Sequence, residues 1–289
     1  MTYTTRSDSW TLRTKCLSFD ARPVIMGIVN VTPDSFSDGG KFYDSQAAVD
    51  HALQLVADGA GILDVGGEST RPYSNPVTTE EELARVIPVI QRLADLTEVP
   101  ISIDTSKAEV ARQAVAAGAE IINDVTGLEG DPQMLDVARE SNAGICAMHM
   151  QGTPQTMQDD PSYDNVVQDI TGYLQSRREA LLASGIHQDR ICLDPGIGFG
   201  KTHAHNLELL KSCDRFHALG CPILVGHSRK GFIAHVLDDR ECERMSGTVG
   251  VALGLATQGV QVLRVHDVAE VRRALVLFEQ TFVDGKLSR

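Results

Sequence analysis

Polar side chains recur at or near the ends of short apolar segments along this 289-residue sequence. The apolar segments span residues 24–30, 61–66, 99–104, 119–124, 144–149, 190–194, 222–226 and 260–265. The polar residues at those ends are Asn30, Asp64, Asp104, Asn123, Asp124, His149, Asp194, His227, Ser228, Arg264 and His266. Helix capping explains an Asp or Asn that precedes a helix, but it does not explain His149, Arg264 or His266. We therefore expect these side chains to share one site.

Three of these residues are hydrogen-bond acceptors that come from different segments. Asp104, Asn123 and Asp194 together suit a ligand rich in N–H donors, or a metal ion. Lys230 follows the seventh segment and is placed to donate to a ring nitrogen or carbonyl of the same ligand, or to pair with an Asp. The residue types therefore predict a pocket for a planar ligand.

A second group of residues suits an anion. Arg264 and His266 are two positions apart, so both point to one side of a strand end. An Arg fork with a His donor is typical of a phosphate or diphosphate site. Asn30 offers an oxygen ligand for Mg²⁺, which prefers oxygen and keeps several waters.

Three loops have compositions that favour a functional role. Residues 31–40 are rich in turn formers around the lone aromatic Phe36, which is typical of a lid, and residues 66–76 hold Arg71. Residues 194–202 read D-P-G-I-G-F-G-K-T, but Pro195 occupies the first glycine position that a phosphate-binding loop requires. We expect these glycines to bring the backbone close to a flat ligand instead.

The apolar segments alternate with segments of helical periodicity. Continuous apolar runs indicate strands covered on both faces, as in a parallel sheet. Helices are predicted over residues 45–58, 79–96, 108–117, 133–141, 163–184, 205–219, 230–237 with 245–258, and 268–282. Several end at a glycine, which favours a helix C-terminus. About eight βα units predict a TIM (β/α)8 barrel formed by one domain over residues 1–289. Residues 1–22 are predicted to be an N-terminal extension that forms a short hairpin or strand pair. A doubly wound open sheet is the alternative.

Composition excludes several classes of function. The formal net charge of −13 opposes broad binding to nucleic acid or to an anionic membrane. The sequence contains neither an apolar run long enough to span a bilayer nor the apolar region of a signal peptide. The six cysteines are scattered without a C-x-x-C pair, which is typical of reduced thiols. We therefore expect a cytoplasmic enzyme that binds small molecules.

The sequence resembles the dihydropteroate synthase family over nearly its whole length. The shared motifs occur in family order and spacing. They are G-I-V-N-V-T-P-D-S-F-S-D-G-G at 27–40, D-V-G-G-E-S-T-R-P at 64–72, S-I-D-T-S-K at 102–107, I-I-N-D at 121–124, M-H-M-Q-G at 148–152, L-D-P-G-I-G-F-G-K at 193–201, S-R-K at 228–230 and R-V-H-D at 264–267.

The resemblance implies a homodimeric TIM-barrel transferase of folate synthesis, a family that sulfonamides inhibit. Its reaction joins (7,8-dihydropterin-6-yl)methyl diphosphate to 4-aminobenzoate and releases diphosphate. The family pattern assigns the pterin to Asp104, Asn123, Met148, Asp194 and Lys230. It assigns the diphosphate and its Mg²⁺ to Asn30, Arg264 and His266, with Asn30 as the metal ligand. It assigns the 4-aminobenzoate loops to Phe36, Asp38, Thr70, Arg71 and Pro72. Of these residues, Asn30, Asp104, Lys230, Arg264 and His266 are the expected catalytic set.

The sequence departs from the family pattern at two positions, both near the expected 4-aminobenzoate pocket. Tyr73 follows Pro72 where many members have Gly, and Gly231 follows S-R-K where Ser is common. Two other functions remain as alternatives: a methyltransferase of the related pterin-binding barrels, and a pterin-binding protein without catalysis. The diphosphate residues argue against both.

Overall fold

The chain folds into strands and helices that alternate, after a short N-terminal hairpin. The computed structural model describes residues 6–31, 41–70 and 73–282. The strands are β1 (Ser9–Thr11), β2 (Cys16–Ser18), β3 (Val24–Asn30), β4 (Ile62–Gly66), β5 (Ile101–Asp104), β6 (Ile121–Asp124), β7 (Gly144–Met148), β8 (Ile191–Asp194), β9 (Leu224–Val225) and β10 (Val262–Val265). The helices are α1 (Lys41–Asp58), α2 (Thr79–Leu96), α3 (Ala108–Ala116), α4 (Met134–Ser141), α5 (Val166–Ala183), α6 (His203–Leu210), α7 (Gly231–Val236), α8 (Met245–Thr257) and α9 (Val268–Phe282).

Strands β3 to β10 form a closed parallel barrel. Their order in the sheet is β8-β7-β6-β5-β4-β3-β10-β9, so strands that are neighbours in sequence are neighbours in space. The first and last strands of the barrel, β3 and β10, pair directly. A parallel bridge between Leu193 and Ile223 closes the remaining gap, where β8 meets the residue before β9. This closure confirms the predicted TIM barrel and excludes the open sheet.

Local signals in the sequence set most helix ends. The side chain of Thr78 caps α2 by accepting from the backbone N–H of Glu81, whose own carboxylate accepts from the backbone N–H of Thr78. The glycines predicted to follow helices all have positive φ, a conformation that costs glycine little: Gly59, Gly118, Gly185, Gly220 and Gly259. Within the described residues, no helix is both long and apolar enough to cross a membrane.

One predicted helix is wrong, because a side chain from a distant segment interrupts it. The pattern over residues 205–219 predicts a continuous helix, but α6 stops at Leu210 and a 3-10 helix covers Cys213–Leu219. The amide of Gln258 inserts at the break: Nε2 donates to Leu210 O at 2.8 Å, and Oε1 accepts from Asp214 N at 3.3 Å. In an uninterrupted α-helix Asp214 N would donate to Leu210 O. The other element ends differ from the predicted ones by a few residues.

The interior of the barrel has an apolar lower layer and a polar upper layer. Alternate residues of each strand point inward. The lower layer packs Met26, Ile62, Ile121, Cys146, Cys192, Leu224 and Val262 into one buried cluster. Two residues further along five of these strands lie Asp64, Asn123, Met148, Asp194 and Arg264. The carboxyl ends of the strands therefore carry the chemistry, as in other barrels of this type.

The predicted N-terminal hairpin is confirmed, and it covers the amino-terminal end of the barrel. Strands β1 and β2 pair antiparallel, with Trp10 opposite Leu17. Trp10 is fully buried against the lower layer, and its Nε1 donates to Arg190 O at 2.9 Å. The hairpin thus seals the barrel at the end away from the polar layer.

Replacing Trp10 by alanine should lower the free energy of unfolding by about 3–5 kcal/mol, because it leaves a cavity at a fully buried position. Trp10→Phe keeps a six-membered ring but removes the pyrrole part of the indole and its Nε1 hydrogen bond, so its loss should be smaller, about 1–3 kcal/mol. Trp10 is the only tryptophan, so guanidinium unfolding should be followed by circular dichroism. Equal unfolding midpoints for wild type and Trp10→Ala would contradict this role of the hairpin.

Candidate active site

A cavity opens above the polar layer at the carboxyl end of the barrel. It encloses about 360 Å³, including its mouth. Its walls include all five residues that the sequence assigned to a planar ligand: Asp104, Asn123, Met148, Asp194 and Lys230. Arg264 and Thr70 also line it, together with Val125, Ile197, Phe199 and Gly226. Polar groups from separate strands thus converge on one concave space.

Arg264 lies between two carboxylates at the base of this cavity. Its Nε donates to Asp64 Oδ2 at 2.6 Å, and its Nη2 donates to Asp104 Oδ2 at 2.7 Å. The side chain of Asp64 is fully buried, and that of Asp104 is 10% exposed. The sequence placed Arg264 beside His266 in an anion site, whereas the structure bonds its guanidinium to the carboxylates of the ligand cavity.

Hydrogen bonds fix the direction in which the acceptors point. Asn123 Nδ2 donates to both oxygens of Asp64 at 3.3 Å, so its Oδ1 remains an acceptor for the cavity. Asp194 Oδ1 accepts from the backbone N–H of Gly196 at 2.7 Å, which leaves Oδ2 available on the same carboxylate. Lys230 Nζ lies 4.2 Å from the centre of the Phe199 ring. The cavity therefore presents several acceptors and one ammonium donor.

Burial moves the pKa values of Asp104, Asp194 and Lys230 toward neutral pH. It raises the pKa of Asp104 to about 7, against the attraction of Arg264 and with repulsion from Asp64. It raises the pKa of Asp194 to about 6, although the Gly196 N–H and the charge of Lys230 act in the other direction. Burial and repulsion from Arg264 lower the pKa of Lys230 to about 8. Perturbed groups that converge in a cavity are typical of a functional site.

His266 and Asn30 lie outside the lining of this cavity. Burial, with repulsion from Arg229 and Arg264, lowers the pKa of His266 to about 4, so its ring is neutral at pH 7. Ser228 Oγ accepts from His266 N at 3.3 Å and lies 3.0 Å from Nδ1. The Ser228 hydroxyl therefore fixes the orientation of the His266 ring. Asn30 ends β3 opposite Gly66.

Metal binding by protein ligands alone has no visible basis in the described ranges. No group of three or more His, Cys, Asp or Glu side chains there is arranged to hold an ion.

Four residues of the expected 4-aminobenzoate loops, Phe36, Asp38, Arg71 and Pro72, lie outside the described residues.

Comparison with known proteins identifies the family. The sequence model of the family described as pterin binding enzyme matches residues 26–266. Dihydropteroate synthase from Escherichia coli strain K12 is 46% identical over 261 residues, which is 90% of this chain and 92% of that protein.

Two solved structures of dihydropteroate synthase from Xanthomonas albilineans are also similar to this chain. The dihydropteroate synthase with 4-aminobenzoic acid has a TM-score of 0.90 and 45% identity, covering 96% of this chain and 100% of that one. The complex with 7,8-dihydropteroate has a TM-score of 0.86 and 43% identity, with the same coverage of both chains.

The chain belongs to the dihydropteroate synthase family.

Asp64 was expected in the shared site without a stated role, and two residues that the sequence did not assign, Phe199 and Lys201, support the site in the structure. Asp64 orients both Arg264 and Asn123. Phe199 forms part of the cavity wall beneath Lys230. Lys201 is 2% exposed, and its Nζ lies 2.8 Å from Phe199 O and 3.0 Å from His149 Nδ1. All three stand inside the family motifs, and that was the signal available for them.

The glycines of the loop after β8 were expected to approach a flat ligand. Gly196 and Gly200 closely approach the neighbouring loop after β7, whereas Gly198 faces the side chain of Lys230, which lines the cavity. A Cβ at Gly196 would overlap His149 O, and one at Gly200 would overlap Gln151 O. The two loops are therefore packed backbone against backbone, and Lys201 connects them.

Local contacts account for Tyr73, one of the two departures from the dihydropteroate synthase pattern, whereas nothing in the structure explains Gly231. Tyr73 has φ of 62°, which favours the glycine that many members carry. Here the backbone N–H of Tyr73 donates to Pro154 O at 3.1 Å, and its hydroxyl lies 3.1 Å from Asp159 Oδ1. At Gly231 a Cβ would come no closer than 3.6 Å to His203, so a serine would fit there.

The affinity for a pterin should depend on pH with an optimum between about 7 and 8. As the pH falls through the raised pKa values of Asp104 and Asp194, protonation removes the charged acceptors. As it rises through the lowered pKa of Lys230, the ammonium donor is lost. Calorimetric titration of a pterin analogue from pH 5 to pH 9 measures this dependence. Asp194→Asn should flatten the lower part of the acidic limb, and a pH-independent wild-type affinity would refute the assignment.

Proposed function

We propose that this chain performs the reaction of its family, the condensation of (7,8-dihydropterin-6-yl)methyl diphosphate with 4-aminobenzoate. The amine nitrogen forms a bond to the pterin methylene carbon, and the C–O bond to the diphosphate breaks. Diphosphate leaves with that electron pair, and the amine gives one proton to water. The products are 7,8-dihydropteroate and diphosphate.

The observation that carries this proposal is the match between the cavity and a pterin edge. The 2-amino and N3–H groups of a pterin are donors on one side of a flat ring. Asp104 and Asp194 are acceptors in one cavity, Asn123 Oδ1 is a third, and Lys230 supplies a donor for a ring nitrogen or the carbonyl. Met148 and Phe199 are apolar walls for the ring faces.

Two donor side chains near the carboxylates, Arg264 and His266, support binding of the diphosphate group of the substrate. Carboxylates occupy Nε and Nη2 of Arg264, and within the described residues Nη1 has no hydrogen bond, so it is available to an anion. His266 adds an imidazole ring from the same strand end, neutral at pH 7 and able to donate one hydrogen bond. Both groups stand where negative charge develops as the leaving group departs. The carboxylates below favour positive charge on the electron-rich dihydropterin.

Asn30 is the residue we assign to Mg²⁺. A single neutral oxygen suits Mg²⁺ that arrives with a diphosphate, since this ion is commonly held by a few protein oxygens, substrate phosphates and water. When bound, it would neutralise charge on the leaving group. Thr70 lines the cavity at the start of the loop that we assign to 4-aminobenzoate, so the second substrate approaches from that loop.

A coupled assay with both substrates and Mg²⁺ should give equal amounts of dihydropteroate and diphosphate. Asp194→Asn should lower kcat/KM by about 10- to 100-fold, because a charge-assisted hydrogen bond contributes about 1.5–3 kcal/mol. Asp189→Asn makes the same chemical change at the opposite end of the barrel, where Asp189 accepts from Thr11, and should leave kcat/KM unchanged. Pterin binding without product would reduce the function to binding alone.

We also propose that the chain forms a homodimer through α8 and α9. Helix α8 has no charged residue in its sequence, yet only Thr248, Ala252 and Leu255 of it are buried. A helix that is apolar on all sides is normally covered. On neighbouring α9, Leu277 is 65% exposed and Phe282 is 77% exposed. A second copy of the same face would cover both helices.

Sedimentation equilibrium should give about twice the 31.3 kDa mass of the chain. Gly250→Arg places a charge in the centre of the α8 surface, where a Cβ meets nothing within 4 Å, and it should yield monomers. Gly172→Arg on α5 is the matched control, because that glycine is equally unobstructed, and it should remain dimeric. A dimeric Gly250→Arg protein would exclude this interface.

A further inference from the structure

An ion triad lies beside the catalytic cavity, at the base of the loop between β4 and α2. Lys107 precedes α3, and its Nζ contacts the carboxylates of two glutamates, Glu68 and Glu82. Glu68 belongs to the loop after β4, and Glu82 belongs to the first turn of α2. The triad therefore joins two consecutive βα units, β4–α2 and β5–α3.

Glu82 is buried, so its charge requires the pairing with Lys107. The side chain of Glu82 is fully buried, and its Oε2 lies 2.5 Å from Lys107 Nζ. The other oxygen, Oε1, is buried without a hydrogen-bond partner in the described part of the chain. Burial opposes the charge on Lys107, but the two glutamates more than compensate and raise the pKa of Lys107 above its usual value. Loss of the ammonium would leave an uncompensated charge inside the protein.

Glu68 carries the effect of the triad to the loop. Its Oε1 accepts from the backbone N–H of Val77 at 3.1 Å, so one carboxylate ties the start of the loop to its end. Arg85 Nη1 donates to Gly67 O at 2.7 Å and fixes the residue before it. Between these ties lies Thr70, which lines the cavity. Glu68 thus ties the described residues at the start of the loop to those at its end.

We propose that Lys107, held between Glu68 and Glu82, is the positioning residue of the β4–α2 loop and thereby sets the affinity for the amine substrate. This inference rests on the proposed function, which assigns the 4-aminobenzoate pocket to that loop. Asp104, Asn123, Met148 and Asp194 lie at strand ends and have no hydrogen bond to the triad within the described residues. Glu82 reaches Asp104 only through its charge, which adds to the raised pKa of that carboxyl. Damage to the triad should therefore raise the KM for the amine and spare pterin binding.

Two variants separate positioning from stability. Glu68→Ala keeps the buried Lys107–Glu82 pair, so the protein should retain its melting temperature while the loop loses its tie. Lys107→Met/Glu82→Met replaces that buried pair by apolar side chains, which commonly preserves stability, yet leaves Glu68 without its cation. Each should raise the KM for 4-aminobenzoate about tenfold or more. Each should keep the calorimetric Kd for a pterin analogue within about twofold.

Three comparisons complete the experiment. Lys107→Met alone should lower the melting temperature and raise the KM for 4-aminobenzoate. Lys107→Arg keeps the cation, so both values should stay near those of the wild type. Arg112→Ala removes an exposed pair with Glu109 on α3 and should change neither. A double variant with wild-type KM would make the triad purely structural and overturn the proposal, as would equal loss of pterin and amine affinity. An inactive wild-type enzyme would instead refute the proposed function.

Discussion

The contact of Arg264 with Asp64 and Asp104 inside the barrel is the constraint on which the site depends. Taking charges out of water is costly, and the cost is offset only when each charge is paired and hydrogen-bonded. Here one guanidinium satisfies two carboxylates from neighbouring strands, and Asn123 completes the coordination of Asp64. The upper interior is therefore held by electrostatics where most barrels of this type use branched apolar side chains.

Apolar packing elsewhere in the molecule offsets the free-energy cost of burying these charges. The lower layer, closed by Trp10, and the contacts between strands and surrounding helices bury an extensive core. Because the lower layer lies at the other end of the strands and the larger core lies between the strands and the helices, the polar layer can keep carboxylates with raised pKa values and a lysine with a lowered one. Inside the barrel, apolar packing and chemistry thus occupy opposite ends.

The two substrates meet surfaces of different rigidity. Strand ends carry the proposed pterin contacts, and the loops after β7 and β8 reinforce them through glycine packing and Lys201. The proposed amine pocket lies on the loop after β4, whose path depends on a few side-chain contacts. We expect a preformed first site and a second site that varies more readily. The family resemblance predicts that the two departures from the pattern, Tyr73 and Gly231, belong to the second site.

The alternation of strands and helices, the barrel, the N-terminal hairpin and four polar residues of the cavity, Asp104, Asn123, Asp194 and Lys230, could be predicted from the sequence pattern alone. Those features follow from local rules: apolar periodicity, caps, and the shared edge of parallel strand ends. Met148 was predicted only through the family motif. The folded structure was needed to show that Gln258 interrupts the predicted helix over 205–219, that Arg264 bonds to Asp64 and Asp104, and that Lys107 links Glu68 to Glu82. Each of these contacts joins segments far apart in the chain, and no local pattern encodes which distant partner a buried polar group will find.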